Sequence, residues 1–379
     1  MSENFGNKGY EDYFKALEQQ MNKSAARQSE IKPEPQATQK TPPAKHTAKR
    51  RGVYKVVRLR KSVIAVFVAV VMIIVGSVVI SGFRGKQPET VPKTDTEQTE
   101  TPKTDVEKPK KIEYSFTDNT TGIAIENDAK SIIIVDKSTN EVVAAHNAHE
   151  REYPASTTKI MTLLVAVENM PDFNDTFTMT YEITDPLYVE EASVAGFLNN
   201  EQVSMTDLLY GTILPSGADA AMGLAISVAG SEEEFVKLMN RKVKELGLKN
   251  TNFTNVTGLH NKKNYSSAYD MAIILDAALQ NDLCREVLST YQHTTAVTPQ
   301  HAEGILLQST LFSYMYGTEP ETATILGGKT GFVNESGYCI ASYGKGNTSQ
   351  NEYIVVTMGN SARWPAFYGQ IDLYKQYAK

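Results

Sequence analysis

The chain has 379 residues with 38 Lys/Arg against 44 Asp/Glu, a net charge of −6, and this average conceals a basic head, because residues 1–61 carry fourteen Lys/Arg and only six Asp/Glu. That head directly precedes a long apolar run, so it reads as a topology signal rather than as a nucleic-acid surface, and no nucleic-acid partner is expected. Two cysteines, Cys284 and Cys339, lie far apart without CxxC or Cys/His spacing, which excludes a disulfide framework and a structural zinc; core packing is the expectation for both, a single exported pair the alternative.

Residues 1–61 are expected to be a largely disordered cytoplasmic tail, within which Tyr10 to Met21 has the pattern of one short amphipathic helix. Residues 62–83 read as a transmembrane signal-anchor. Val63 to Ile80 is apolar but for Gly76 and Ser77, and eighteen residues at ~1.5 Å each span most of a ~30 Å hydrocarbon layer. No polar face interrupts the run, as a buried core helix would require. Lys45, Lys49, Arg50, Arg51, Lys55, Arg58, Arg60 and Lys61 crowd its upstream side, which keeps the N-terminus in the cytoplasm. The run begins too late for a cleaved secretory signal, so the expected location is the cell membrane, single-pass, with the rest of the chain outside. Residues 84–117 are rich in Thr, Pro, Lys, Glu and Asp and read as a solvated extracytoplasmic linker.

Residues 118–379 carry the folding signals. Ser131–Asp136 and Glu141–Ala145 predict a hairpin with one strongly apolar face. Thr157–Asn169 and Ala218–Val228 predict buried helices, whereas Glu232–Leu246 sets Phe235, Leu238, Met239 and Val243 at the spacing of a surface helix. Strands are expected again at Thr324–Leu326, Gly337–Tyr343 and Tyr353–Met358, and a helix over Trp364–Tyr377. Strands at both ends with helices between them predict one α/β domain, its sheet built from N- and C-terminal strands around a helical insertion.

Three motifs follow in order: Ser156-Thr-Thr-Lys159, Ser216-Gly-Ala218 and Lys329-Thr330-Gly331. Singly each is weak, since an SxxK is also a helix cap with a surface lysine and a Gly-rich stretch is also a plain hairpin. Context sharpens the first: the segment after Lys159 is too apolar to be exposed, and positions i and i+3 put the lysine amine beside the serine hydroxyl. A serine needs a neighbouring base to become a nucleophile, and a lysine can be that base only if desolvation and a nearby cation, for which Lys329 is the candidate, lower its pKa from ~10.4. A Ser156 at a helix N-terminus also has a backbone N–H for an oxyanion. Gly327-Gly328-Lys329-Thr330-Gly331-Phe332 suits close approach of a substrate strand, with Lys329 and Thr330 meeting a terminal carboxylate and Gly331 leaving room for its backbone. The stretch lacks the GxxxxGK[ST] of a phosphate loop.

SxxK followed by a Ser-x-x motif and KTG is the set of penicillin-binding proteins and class A β-lactamases. The wider blocks YPASTTKIMT, EASVAGFLNNEQVSMTDLLYGTILPSGADAA, ELGLKNTNFTNVTGLHNKKNYSSAYDMAIIL and GGKTGFVNESGYCIASYG resemble the low-molecular-mass D-alanyl-D-alanine carboxypeptidases over about 130–343. The resemblance implies a β-lactamase/transpeptidase-like antiparallel sheet with a helical insertion. It also implies removal of the terminal D-alanine from peptidoglycan stem peptides ending in D-Ala-D-Ala, and β-lactam antibiotics as acylating inhibitors; the residues themselves lead to no expected cofactor or metal. By the same likeness Ser156 forms the acyl-enzyme, Lys159 is its base, and Ser216 relays a proton to the leaving amine. Lys329 and Thr330 bind the carboxylate, backbone N–H groups of Ser156 and Phe332 form the oxyanion hole, and Tyr265 and Ser266 fall near the cleft.

The chain departs from the family at Ala218, where Asn is usual, and an alanine cannot donate the amide hydrogen bond. That departure keeps a second reading open, a weakly active or inactive penicillin-binding scaffold. A class A β-lactamase is the third, though Glu245-Leu-Gly-Leu248-Lys-Asn250 misses its Glu-x-x-Leu-Asn loop by one residue. His146, His149, His260, His293 and His301 lack HExxH spacing and are expected in solvated loops.

Overall fold

The computed structural model describes residues 112–378, apart from 124–126, 171 and 174. The expected cytoplasmic tail, transmembrane segment and most of the linker lie outside the described residues; within those described, no helix is long and apolar enough to cross a membrane.

Strand β2, Ser131–Asp136, explains the architecture best. Its sequence SIIIVD is buried at every position. Alternate side chains of a strand face opposite ways, and Ile133 and Val135 join one core cluster while Ile132 and Ile134 join another. A strand apolar on both faces belongs at the centre of a layered sheet. The sheet has six strands in the order β1-β3-β2-β10-β9-β8. Their ranges are β1 Thr121–Gly122, β3 Glu141–His146, β8 Ala323–Val333, β9 Gly337–Gly346 and β10 Glu352–Asn360. The five longer strands are antiparallel, as expected; β1 pairs parallel with β3, so the whole sheet is mixed. Helix α9, Arg363–Tyr377, covers one face through Leu373 and Tyr374.

The insertion between β3 and β8, which also holds the short strands β4 (Thr176–Thr178), β5 (Gln202–Ser204), β6 (Gln292–Thr294) and β7 (Leu306–Gln308) and helix α8 (Thr310–Met315), supplies the other face. Its buried helices are α1 (Lys159–Asn169), α3 (Met205–Ile213), α4 (Ala218–Ala229) and α6 (Ala268–Leu279), with α2 (Tyr181–Val189), α5 (Glu232–Glu245) and α7 (Asp282–Ser289) outside them. Helix α5 starts where Ser231 accepts the Glu234 N–H, a side-chain cap ahead of three glutamates that suit the positive end of the helix dipole. Tyr114, in the segment read as linker, is buried and donates to Asp276 Oδ2 at 2.7 Å. Cys284 and Cys339 are free thiols packed in the core.

Candidate active site

Ser156 does not open an α-helix. It lies in a 3₁₀ turn, Ala155–Thr158, that leads into α1 at Lys159. In a 3₁₀ turn residues i and i+3 eclipse each other, which aligns Ser156 with Lys159 more closely than an α-helix would. The turn is entered at Pro154, and Ala155 has φ +48°, a left-handed conformation that is costly for a residue with a Cβ.

Lys159 Nζ lies 3.1 Å from Ser156 Oγ and donates to the Thr257 carbonyl at 2.6 Å. The amine is 2% exposed. Burial lowers its pKa to about 7, against a smaller opposing pull from Asp219. Lys329, 1% exposed, is pushed well below the usual lysine range by burial and by repulsion from Lys159. Burial is the main cause for both amines, and the repulsion between them is mutual, as expected of two ammonium groups in one buried junction. Lys329 Nζ donates to the Thr330 carbonyl at 2.9 Å, and the Thr330 and Thr310 hydroxyls share a hydrogen bond of 2.7 Å.

Lys329-Thr330-Gly331 lies inside β8, which runs on past the expected Leu326 to Val333 and forms the sheet edge. It packs against the 3₁₀ turn: a Cβ on Gly331 would come within 2.9 Å of both Ser156 N and Thr157 N. Glycine there is a condition for bringing the strand to the nucleophile.

A cleft of about 780 Å³ opens over this junction. Of the expected site residues Ser156, Lys159 and Phe332 line it, while Ser216, Lys329, Thr330 and Gly331 do not. Ser216 is nearly buried with φ +68°. Among the described residues its hydroxyl makes no hydrogen bond to Ser156 or Lys159. Ala218 does line the cleft, so the missing amide falls on its wall. Tyr265 and Ser266 are off the lining; Arg151 sits over the Tyr265 ring, and the Ser266 hydroxyl bonds Thr251. Glu245 pairs with Lys242 at 2.8 Å and is also away from the cleft, which leaves the β-lactamase-like segment without a route to the acyl carbon.

Two features escaped the sequence reading. His293 and His301 were expected in solvated loops but pair with Asp207 at 2.7 Å and Glu201 at 2.9 Å, partly buried. Asp219 is buried, and its carboxylate holds four backbone N–H groups. Its position next to Ala218 in the second motif is the sequence signal that points to it.

A family model described as D-alanyl-D-alanine carboxypeptidase matches residues 117–362. The chain is 36% identical over 230 residues to D-alanyl-D-alanine carboxypeptidase DacF of Bacillus subtilis, covering 59% of this chain and 56% of that protein. It is 33% identical over 238 residues to DacA of Haemophilus influenzae, covering 61% and 57%. The chain thus spans a little over half the length of these curated relatives. Among solved structures, the Streptomyces K15 DD-transpeptidase matches with TM-score 0.59 and 27% identity, covering 67% of this chain and 97% of that one. Penicillin binding protein 5 from Haemophilus influenzae matches with TM-score 0.56 and 29% identity, covering 67% and 70%.

Proposed function

Because the chain belongs to the D-alanyl-D-alanine carboxypeptidase family, matched over residues 117–362, we propose that it removes the terminal D-alanine from peptidoglycan stem peptides through an acyl-enzyme on Ser156. The observation that carries this reading is the Lys159 amine, 3.1 Å from the Ser156 hydroxyl, with a pKa near neutrality. A group that is half unprotonated at about pH 7 can take a proton from serine and later return it, and matched acid–base groups of this kind contribute ~10²–10⁴-fold in rate.

In the proposed sequence neutral Lys159 accepts the Ser156 proton as Oγ attacks the penultimate D-alanine carbonyl. The negative charge that develops on that oxygen is received by the backbone N–H groups of Ser156 and Phe332. Collapse breaks the amide bond as the Lys159 ammonium passes its proton through the Ser216 hydroxyl to the departing amine; water, giving a proton to the again neutral Lys159, then cleaves the acyl-serine ester, and that proton returns to Ser156 Oγ. Lys329 and Thr330 receive the terminal carboxylate. The Lys329 ammonium is disfavoured by burial and by Lys159; an arriving carboxylate offsets both and restores its charge. A β-lactam enters the same path and remains as the acyl-enzyme.

The chain's anchoring belongs to the same proposal. The apolar run within 62–83 and its upstream basic cluster support a membrane tether that leaves the catalytic domain outside the cell.

Ala218 on the cleft wall favours the second reading, a penicillin-binding scaffold with little turnover. One experiment separates the two. The full-length protein is expected to be labelled covalently by a fluorescent penicillin and to release D-alanine from a diacyl tripeptide ending in D-Ala-D-Ala. Ser156→Ala should abolish both. Labelling without D-alanine release supports the scaffold, and labelling that survives in Ser156→Ala moves the nucleophile elsewhere.

A further inference from the structure

The Asp219 carboxylate takes no part in the chemistry proposed above, yet it is built into the wall that this chemistry uses. It stands in the first turn of α4 and is 1% exposed. Oδ1 accepts the N–H groups of Ala195 at 2.7 Å and Ala220 at 2.9 Å, while Oδ2 accepts those of Gly196 at 3.0 Å and Phe197 at 3.2 Å. Beside it the Ala218 N–H donates to the Ser193 carbonyl at 2.7 Å. One carboxylate therefore fastens the 193–197 loop to the second motif, and Ser193 of that loop lines the cleft next to Ala218.

Gly217 is shaped by the same arrangement. A Cβ there would lie 2.8 Å from Asp219 Oδ1, 2.8 Å from Ala195 N and 2.7 Å from the Gly211 carbonyl. The middle residue of the motif has to be glycine for the carboxylate to reach the loop.

We infer that Asp219 is a positioning residue of the acylation step, fixing the 193–197 wall of the cleft and holding a negative charge within electrostatic reach of the Lys159 amine. The inference rests on the reading of Lys159 as the base. Burial lowers the Lys159 pKa and Asp219 raises it, so the two together bring the amine to about 7. Without the anion, burial would act alone and the base would lose its proton at lower pH. The ionisable groups around that amine are Asp219 on α4, Lys329 on β8, and the cleft-lining Glu182, Glu190, Glu191, Glu232, His260 and Glu335. Asp219→Asn changes the first alone.

The test is the rate of covalent labelling of the full-length protein by a fluorescent penicillin, followed from about pH 5 to about pH 9. The native rate should rise with pH through a midpoint near 7. In Asp219→Asn the midpoint is expected to move to lower pH by about half a unit or more. The plateau rate should also fall about tenfold, because an amide nitrogen cannot accept the two N–H groups that one carboxylate oxygen holds. A midpoint that stays in place overturns the inference, whatever happens to the plateau. If Asp219→Asn does not fold, Gly217→Ala displaces the carboxylate while keeping every charge; a moved midpoint together with a plateau loss of about tenfold is expected, and a native midpoint overturns the inference. Failure of the Lys159 reading itself looks different, since native labelling would then show no midpoint near 7.

Discussion

Two buried lysines stand on opposite sides of one junction, and their surroundings give them different work. Lys159, on the 3₁₀ turn side, has a serine hydroxyl, a backbone carbonyl and the charge of Asp219 around its amine. Lys329, on the strand side, has the Thr330 carbonyl and the repulsion of Lys159. Burial lowers both, but only Lys159 has an anion that brings its pKa back to about 7. A lysine balanced near neutrality suits proton transfer, whereas one that lacks a counter-charge suits the capture of a carboxylate that supplies it. Residue type and depth are the same; the neighbouring charges make the difference.

The largest expected effect comes from breaking the turn side. Lys159→Met removes the proposed base, and the acylation rate measured with a fluorescent penicillin should fall about 10³-fold or more. The same variant should be more stable near neutral pH. Between about 7 and 10.5, the folded and ordinary values for this amine, the unfolded chain binds a proton that the folded chain does not. Stability from this group therefore rises with pH across that window and is lowest below it. Lys159→Met should exceed the native protein by a few kcal/mol, roughly, at pH 7, with the gap closing as pH approaches 10.5. Denaturant unfolding at several pH values checks this, and a gap that does not depend on pH would deny that the native amine is desolvated.

Breaking the strand side should hurt binding more than chemistry. Lys329→Met is expected to raise KM for a D-Ala-D-Ala tripeptide by about 10–100-fold, the worth of a charge-assisted hydrogen bond, with a smaller effect on kcat. A substrate whose terminal carboxylate is amidated should discriminate little between native protein and variant. Native protein should also take up a proton on binding the free carboxylate, because the empty-site lysine is held well below its usual pKa. Equal losses on both substrates would remove the carboxylate from Lys329.

The comparison also separates what the residues declared from what they concealed. Ser156 and Lys159 were legible because spacing alone brings them together, and the apolar stretch after them dictates burial. β2 matched its expected bounds because six consecutive buried residues leave a strand little choice. The 3₁₀ geometry at Ser156 is hidden, since it depends on Pro154, on the left-handed Ala155 and on a strand packed from about 175 residues away. The strand bounds at Leu326 were short because three glycines in 327–331 argue locally against a strand; β9 pairing and the close approach at Gly331 override that preference. Asp219 is hidden because a carboxylate beside alanines gives no sign of three amides contributed by a loop some twenty residues earlier.

The smallest expected effect falls on Thr310, which no motif identified. Its N–H donates to the Leu214 carbonyl, two residues before Ser216, and its hydroxyl bonds that of Thr330 at 2.7 Å. It therefore ties the loop of the second motif to the strand proposed to receive the carboxylate. A hydroxyl is both donor and acceptor, so the shared bond selects which way the Thr330 hydrogen points. Thr310→Val keeps the backbone link and the side-chain shape but frees that rotor. A neutral hydrogen bond of this kind is worth about 0.5–1.5 kcal/mol, so KM should rise about 2–10-fold while kcat and the pH midpoint of labelling stay as they are. If kcat falls instead with KM unchanged, the Thr310–Thr330 pair acts on the reacting carbonyl and the strand side is not a carboxylate receptor alone.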